Sequence, residues 1–285
     1  MSLSNFIPEV WSAQLLKQLR KNLVAAQSSV CNNDYEGEIK NHGDTVRINS
    51  IGPVTIFDYT KDVDMAAPQV LSSSAEVLVI DQAKGFNFAV DDIDKAQMNV
   101  NVMQEAMSLA SYGIADKMDQ FLLGLYTKVA GTVGASGGGD ATAITPTSSN
   151  VYEALVNANT YLNENNVPRD GRFAIVPPFF EGWLLKDSRF VSYGTVANRD
   201  DLANGAIGRA AGMDIMVSNN VSNASGSDYK CIAGHKIAWT CVSDVVAVRA
   251  YEPQYRLADA VKGLTLYGAT VTRPEALCVL HCNKS

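Results

Sequence analysis

Between Asp91 and Ala130, apolar residues recur at steps of three or four, and this run constrains the fold more than any other stretch. Ile93, Ala96, Val100, Met103, Met107, Ala110, Ile114, Met118, Phe121 and Leu125 make up the series. Such spacing gives an α-helix one continuous buried face. Asp91, Asp92 and Asp94 crowd its start, where carboxylates favour the positive end of a helix. A helix over the whole span would run about 55 Å at ~1.5 Å per residue. Gly113 and Gly124 are the positions where it would kink or stop. A methionine-rich stripe of this kind is the seam of a packed core, so the chain is organised around a spine helix.

Upstream the period changes to two. Val46 and Ile48 alternate with polar neighbours, as do Val54 and Ile56. On the return, Val77 to Ile80 run apolar, and Phe86, Phe88 and Val90 alternate again. Between them lies the polar connector DYTKDVDMAAPQVLSSSAE, which holds Lys61 and Pro68. The pattern predicts a long two-stranded hairpin with a flexible tip. Two strands alone are marginal in water, so such a hairpin needs a partner surface, and a neighbouring subunit is one source. Before it, residues 8–30 read as an amphipathic helix opened by Pro8, with Trp11, Leu15, Leu19, Leu23 and Ala26 on one face. That placement suggests an arm that packs on something else.

After the spine, residues 131–150 (GTVGASGGGDATAITPTSSN) read as a glycine-rich linker. Asn150 and Glu153 form a candidate capping box for a helix over 151–165. RFAIVPP (172–178) reads as a buried strand and PFFEGWLLKDSRF as a helix opened by Pro178. MDIMVSNNV, KCIAGHKIAWTCV and DVVAVRAYE read as further strands, and the tail LTLYGATVTRPEALCVLHC as strands bent at Pro274. This mixture indicates an α/β or α+β unit. NGAIGRAAGMDIMVSNNV (204–221) carries Gly205, Gly208 and Gly212, but a phosphate-binding loop runs strand, glycines, helix. Here a helix-like DDLANGAIGRAA precedes the strand, so Gly212 is expected as a left-handed C-terminal cap and Arg209 in the last helical turn.

Composition narrows the function classes. The 285 residues are 47% hydrophobic and 19% charged, with a formal net charge of −7, which is globular and acidic. Without a Lys/Arg cluster, sequence-independent nucleic-acid binding is a poor fit. No segment approaches the roughly 20 apolar residues of a membrane span, and the start lacks the layout of a signal peptide. Five unevenly scattered cysteines suit reduced thiols in a cytosolic product. The three histidines lie in contexts that need no catalytic role, and G-x-S-x-G is absent. In CVLHC (278–282), a strand would put Cys278 and Cys282 on one face and His281 on the other, and no second ligand pair completes a zinc site. GASGGGDAT lacks the lysine of a P-loop. No catalytic residue, cofactor or metal is expected.

An arm helix, a long hairpin, a spine helix, a glycine linker, an α/β unit and returning strands, in that order, resemble the major capsid proteins of tailed bacteriophages, which have the Hong Kong 97-type fold. FIPEVWSAQLLKQLRKNLVAA resembles the amino-terminal segment of one coat-protein branch, and GDTVRINSIGPVTIFDY the outgoing strand of its extended loop. NGAIGRAAGMDIMVSNNV is similar to a segment of its axial domain, and VTRPEALCVL to its closing strand.

The resemblance implies an α+β chain with an amino-terminal arm (1–43) and an extended loop (44–91) reaching over an adjacent subunit. It further implies a peripheral domain (92–145 and 245–285) containing the spine helix, and an axial domain (146–244). Identical chains would tile an icosahedral shell of pentamers and hexamers around a DNA genome, assembled in the host cytoplasm, without membrane contact or sequence-specific DNA binding. Because the chain begins at the arm, a separate scaffolding protein or prior cleavage is implied, with a portal as a further partner. Candidate subunit contacts are Trp11, Lys61, Pro68 and Arg209. Lys61 lies in the loop where some members crosslink to an asparagine, but nothing local identifies its partner. The alternatives are an encapsulin-like nanocompartment shell and, from another class, a cytosolic α/β enzyme with an unrecognised site.

Overall fold

Alternating segments become strands and the longest helical stripe becomes the longest helix. The computed structural model describes residues 24–25, 27–34, 45–52, 54–58, 61, 64, 67–70, 73–91, 102–135, 137–139, 142–187, 208–223, 226–255 and 258–284. β1 (Thr45–Ile51) and β2 (Ser73–Val79) pair antiparallel as a two-stranded hairpin. β3 (Gln82–Asp91) does not continue it, contrary to the alternation of 86–90. β3 instead pairs with β12 (Ala258–Val271), which pairs with β11 (Trp239–Tyr251), forming a three-stranded antiparallel sheet. Phe86, Phe88 and Val90 thereby lay their shared face on the main core, which a free ribbon does not offer. Residues 54–58 also lie outside any strand.

The spine expectation falls on α1 (Val102–Gly124), about 35 Å long at ~1.5 Å per residue, with residues 92–101 outside the described set. Met107, Ile114 and Met118 are buried, and Phe121 packs edge-on against Tyr267. The helix runs through Gly113 without interruption; it stops at Gly124 and passes into one 3₁₀ turn, Leu125–Lys128.

Trp11, Leu15, Leu19, Leu23 and Ala26 lie outside the described residues. The helix expected through residue 30 is corrected at residues 24–25 and 27–30, which form bends and turns. There the chain joins the sheet edge. The Asn32 N–H donates to the Trp239 carbonyl (3.2 Å) and the Cys241 N–H to the Asn32 carbonyl (3.1 Å). The Trp239 indole Nε1 donates to the Val30 carbonyl (2.6 Å), burying Val30 and Cys31 completely.

The second large layer is an eight-stranded sheet. In spatial order its strands are β5 (Gly137–Gly138), β4 (Gly131–Gly134), β13 (Leu277–Asn283), β10 (Asp228–His235), β6 (Arg172–Val176), β8 (Met213–Val217) and β7 (Arg209–Ala210), with β9 (Ser222–Asn223) also on β10. Every residue of β6 is buried. α2 (Val151–Glu164) turns Val151, Ala154, Leu155, Ala158 and Leu162 inward, and α3 (Pro178–Leu184) opens with Pro178 at its first position. β4, β5 and β13 join this sheet from outside the 146–244 segment.

Two local readings are corrected here. The 131–134 part of the glycine-rich stretch is a sheet strand, parallel to β13, and Ile144 downstream is buried and bridges Cys282. Gly131 is required because a Cβ there would come within 2.4 Å of the Tyr161 ring and 2.9 Å of the Leu277 carbonyl oxygen. Asn150 does not cap α2 with its side chain. Its amide is engaged upstream, accepting from the Thr147 N–H (2.7 Å) and donating to the Thr145 carbonyl (2.9 Å).

Candidate functional site

The hairpin is built from two unlike parts. At its base, Leu78 and Ile80 are buried with Val242 and Leu266, and Val46 and Ile48 pack against them. Gly268 on β12 makes that seat possible. A Cβ at this position would stand 2.4 Å from the Val79 carbonyl oxygen and 3.0 Å from the Ile80 Cα. Backbone thus crosses backbone, a close approach that needs glycine.

Beyond the base, the apolar side chains face solvent. Ile56 is 93% exposed and Val70 92%, with Val54 and Phe57 also more than half exposed. Gln69 Oε1 accepts from the Thr55 N–H (2.8 Å), tying the two limbs of the tip together. Lys61 and Pro68 lie in this tip, both exposed. Four exposed large apolar side chains on one narrow projection are the kind of surface that marks a protein–protein contact.

Arg209 sits elsewhere, on β7 at the edge of the eight-stranded sheet. The expectation of a helix end is corrected at residues 208–212. β7 and β8 pair antiparallel through a two-residue turn, with Arg209 opposite Asp214 and Ala210 opposite Met213. Ala211 (φ 49°) and Gly212 (φ 78°) both have positive φ, the geometry of a type I′ hairpin turn. Gly212 is left-handed as expected, but it closes a hairpin rather than a helix. Arg209 Nε lies 3.3 Å from Asp214 Oδ1, a half-exposed surface pair. Trp11 lies outside the described residues, so the sequence candidates that can be located fall into two places: the hairpin tip and this sheet edge.

A buried tether joins the amino-terminal segment to the body, and sequence reasoning missed it. Asp119, 3% exposed on α1, accepts from the Ala25 N–H (2.8 Å) and the Val24 N–H (3.2 Å) through Oδ1. Its Oδ2 accepts from Ser218 Oγ (3.2 Å), just after β8. One carboxylate thus holds together chain segments more than ninety residues apart. The only sequence signal was an acidic residue placed one position after Met118, within the apolar stripe.

Other polar clusters are internal to the fold. Lys230 Nζ donates to Asp228 Oδ2 (2.7 Å) and stands 2.7 Å from His281 Nδ1. His235 is buried, its Nε2 2.6 Å from the Asp170 carbonyl, while Nδ1 accepts from the Ile237 N–H (3.2 Å); burial lowers its pKa. All five cysteines are buried thiols, with Cys278 pushed up to about 12 by burial. Among the described residues, no group of three or more His, Cys, Asp or Glu side chains is arranged to hold a metal ion. No described helix is long and apolar enough to cross a membrane.

The fold and its projecting, apolar-tipped hairpin define a chain of the shell-building class. A protein-family profile described as Phage capsid protein matches residues 75–280. The chain belongs to that family. It is a structural capsid protein with the Hong Kong 97-type α+β fold. A structure from Mycobacterium phage Che8 shares 26% identity over 98% of each chain, with a TM-score of 0.71. The capsid structure of cyanophage P-SCSP1u, 16% identical, matches over 87% of this chain and 85% of its own, with a TM-score of 0.68. A virus-like particle from Pyrococcus furiosus, also 16% identical, matches over 96% of this chain and 98% of its own at a TM-score of 0.58. No curated protein is significantly similar to the chain in sequence.

Proposed function

We propose that this chain is the major coat protein of a tailed bacteriophage and tiles an icosahedral shell of pentamers and hexamers around a DNA genome. The observation that carries the reading is the hairpin: a base packed into its own subunit and a tip whose Val54, Ile56, Phe57 and Val70 are exposed. Burying apolar surface is favourable by about 25 cal/mol per Å², so such a tip gains by lying on another copy. In this reading residues 1–43 are the amino-terminal arm and 44–91 the extended loop. Residues 92–145 with 245–285 form the peripheral domain, and 146–244 the axial domain. The eight-stranded sheet includes β4, β5 and β13 from outside 146–244, so in this reading the two domains share a sheet. Trp11, Lys61, Pro68 and Arg209 are proposed subunit contacts. Assembly takes place in the host cytoplasm with a separate scaffolding protein and a portal, and the chain carries out no catalytic step.

Deleting residues 61–70 tests this reading, because the segment lies outside β1 and β2 and its described residues are exposed. The expected result is a folded subunit that no longer forms closed shells by negative-stain microscopy. Loss of folding would place the segment in the core instead, and undiminished shell formation would remove the loop from assembly. The contents of the particle, DNA or enzyme, separate a phage coat from a nanocompartment of the same fold.

A further inference from the structure

The outer face of the three-stranded sheet carries an arrangement that the described residues of the subunit do not explain. Arg249 on β11 pairs in register with Lys262 on β12, and Lys262 pairs with Asn87 on β3. Cross-strand partners share a face, so two exposed cations stand side by side. Like charges directly opposite in a sheet are destabilising. Neither makes an ion pair with a described residue. Lys262 Nζ lies 4.8 Å from the Tyr251 ring centre, and Tyr251 Oη donates to Asn87 Oδ1 (3.0 Å), so aromatic and amide groups hold the row in place. Leu264, two residues along the same face, is 39% exposed. In a chain with 30 acidic and 23 basic residues, an aligned pair of exposed cations beside an apolar spot is a specific feature.

The same face continues under the hairpin. Leu266 and Gly268, the next residues of this parity on β12, are the ones covered by the hairpin base. Beyond Leu266 the cover ends and the cationic row begins. The tip has the complementary chemistry: Ile56, Phe57 and Asp58 in sequence, with Asp64 beyond Lys61, and Asp58 and Asp64 are both exposed. It does not rest on its own sheet, since Ile56 is 93% exposed.

Building on the coat-protein reading, we infer that Arg249 and Lys262 receive the Asp58 and Asp64 carboxylates of a second copy, with Ile56 and Phe57 settling against Leu264. The row then sets which subunit face a loop engages. Charge pairing of this kind contributes specificity and register more than raw affinity.

The test is a charge swap in the full-length chain, read as particle yield by sedimentation and negative-stain microscopy. Arg249→Glu with Lys262→Glu, or Asp58→Lys with Asp64→Lys, should each lower the yield at least about tenfold, through like-charge contacts between copies. Combining all four should restore it to within about twofold of the native chain, because the pair is reversed rather than broken. All four positions are exposed, and circular dichroism of each variant checks that the subunit is folded. A folded quadruple variant no better than either double variant overturns the pairing, while native shells leave the coat reading intact. Loss of enclosed nucleic acid in the Arg249/Lys262 variant, with shells unchanged, overturns it in favour of a polyanion-binding row. A native chain that forms no shells under any condition overturns both.

Discussion

Replacing Asp119 separates a hydrogen-bonded tether from simple packing. In Asp119→Ala the buried Ala25 N–H, the half-buried Val24 N–H and the Ser218 hydroxyl lose their acceptor. An unsatisfied buried donor costs about 1–3 kcal/mol, so with water reaching Val24 the expected loss is about 1–3 kcal/mol. Asp119→Asn keeps an oxygen for the two amides and offers its N–H₂ to Ser218 Oγ. It forfeits charge assistance alone, about 1 kcal/mol. Urea unfolding measures the two losses, and hydrogen exchange at Val24 and Ala25 locates them. Faster exchange at those two amides should accompany the alanine variant and be much smaller in the asparagine variant. The tether is refuted if the alanine variant stays within about 0.5 kcal/mol of native, the range of ordinary surface changes. Equal losses in the two variants would assign the effect to charge instead of hydrogen bonding.

Two further outcomes are expected. Gly268→Ala forces a Cβ to within 2.4 Å of the Val79 carbonyl oxygen, a backbone atom that cannot rotate away. The variant should lose about 1–3 kcal/mol in urea unfolding and form fewer shells; native behaviour in both would mean the hairpin base is not seated there. Burial lowers the His235 pKa below its ordinary 6.5, so the folded chain takes up this proton later than the unfolded chain as pH falls. The contribution is full above about 6.5 and is lost as pH falls from there through the lowered folded value. The urea midpoint of the native chain should drop over that window more steeply than that of His235→Gln, and parallel profiles would exclude His235 as the source.

The elements legible in the sequence were those dictated by near neighbours. The stripe at Met107, Ile114 and Met118 forms the buried face of α1, the alternation at Val46 and Ile48 forms β1, and RFAIV forms a fully buried strand. Misreadings arose where a distant segment decides the local geometry. Residues 131–134 have linker composition, yet they form a strand in which Tyr161 and Leu277 press close enough that only glycine fits at 131. β3 has the alternation of a hairpin limb, but β12 supplies a better partner. Gly212 was correctly left-handed, while Ala211, also at positive φ, shows that the turn joins two strands and not a helix and a strand. The exposed position of Lys61 and Pro68 was legible, because a polar connector between two alternating runs lies at the surface. The Asp119 tether was not, since its partners lie 94 to 99 residues away in sequence.

The most direct measurement is the mass and shape of the assembled native chain, by sedimentation and electron microscopy of particles from expressing cells. Closed shells, with the 45–79 hairpin of each subunit lying across a neighbour, are the expected result. A protein that stays strictly monomeric or dimeric, even when a scaffolding protein is supplied, would contradict it.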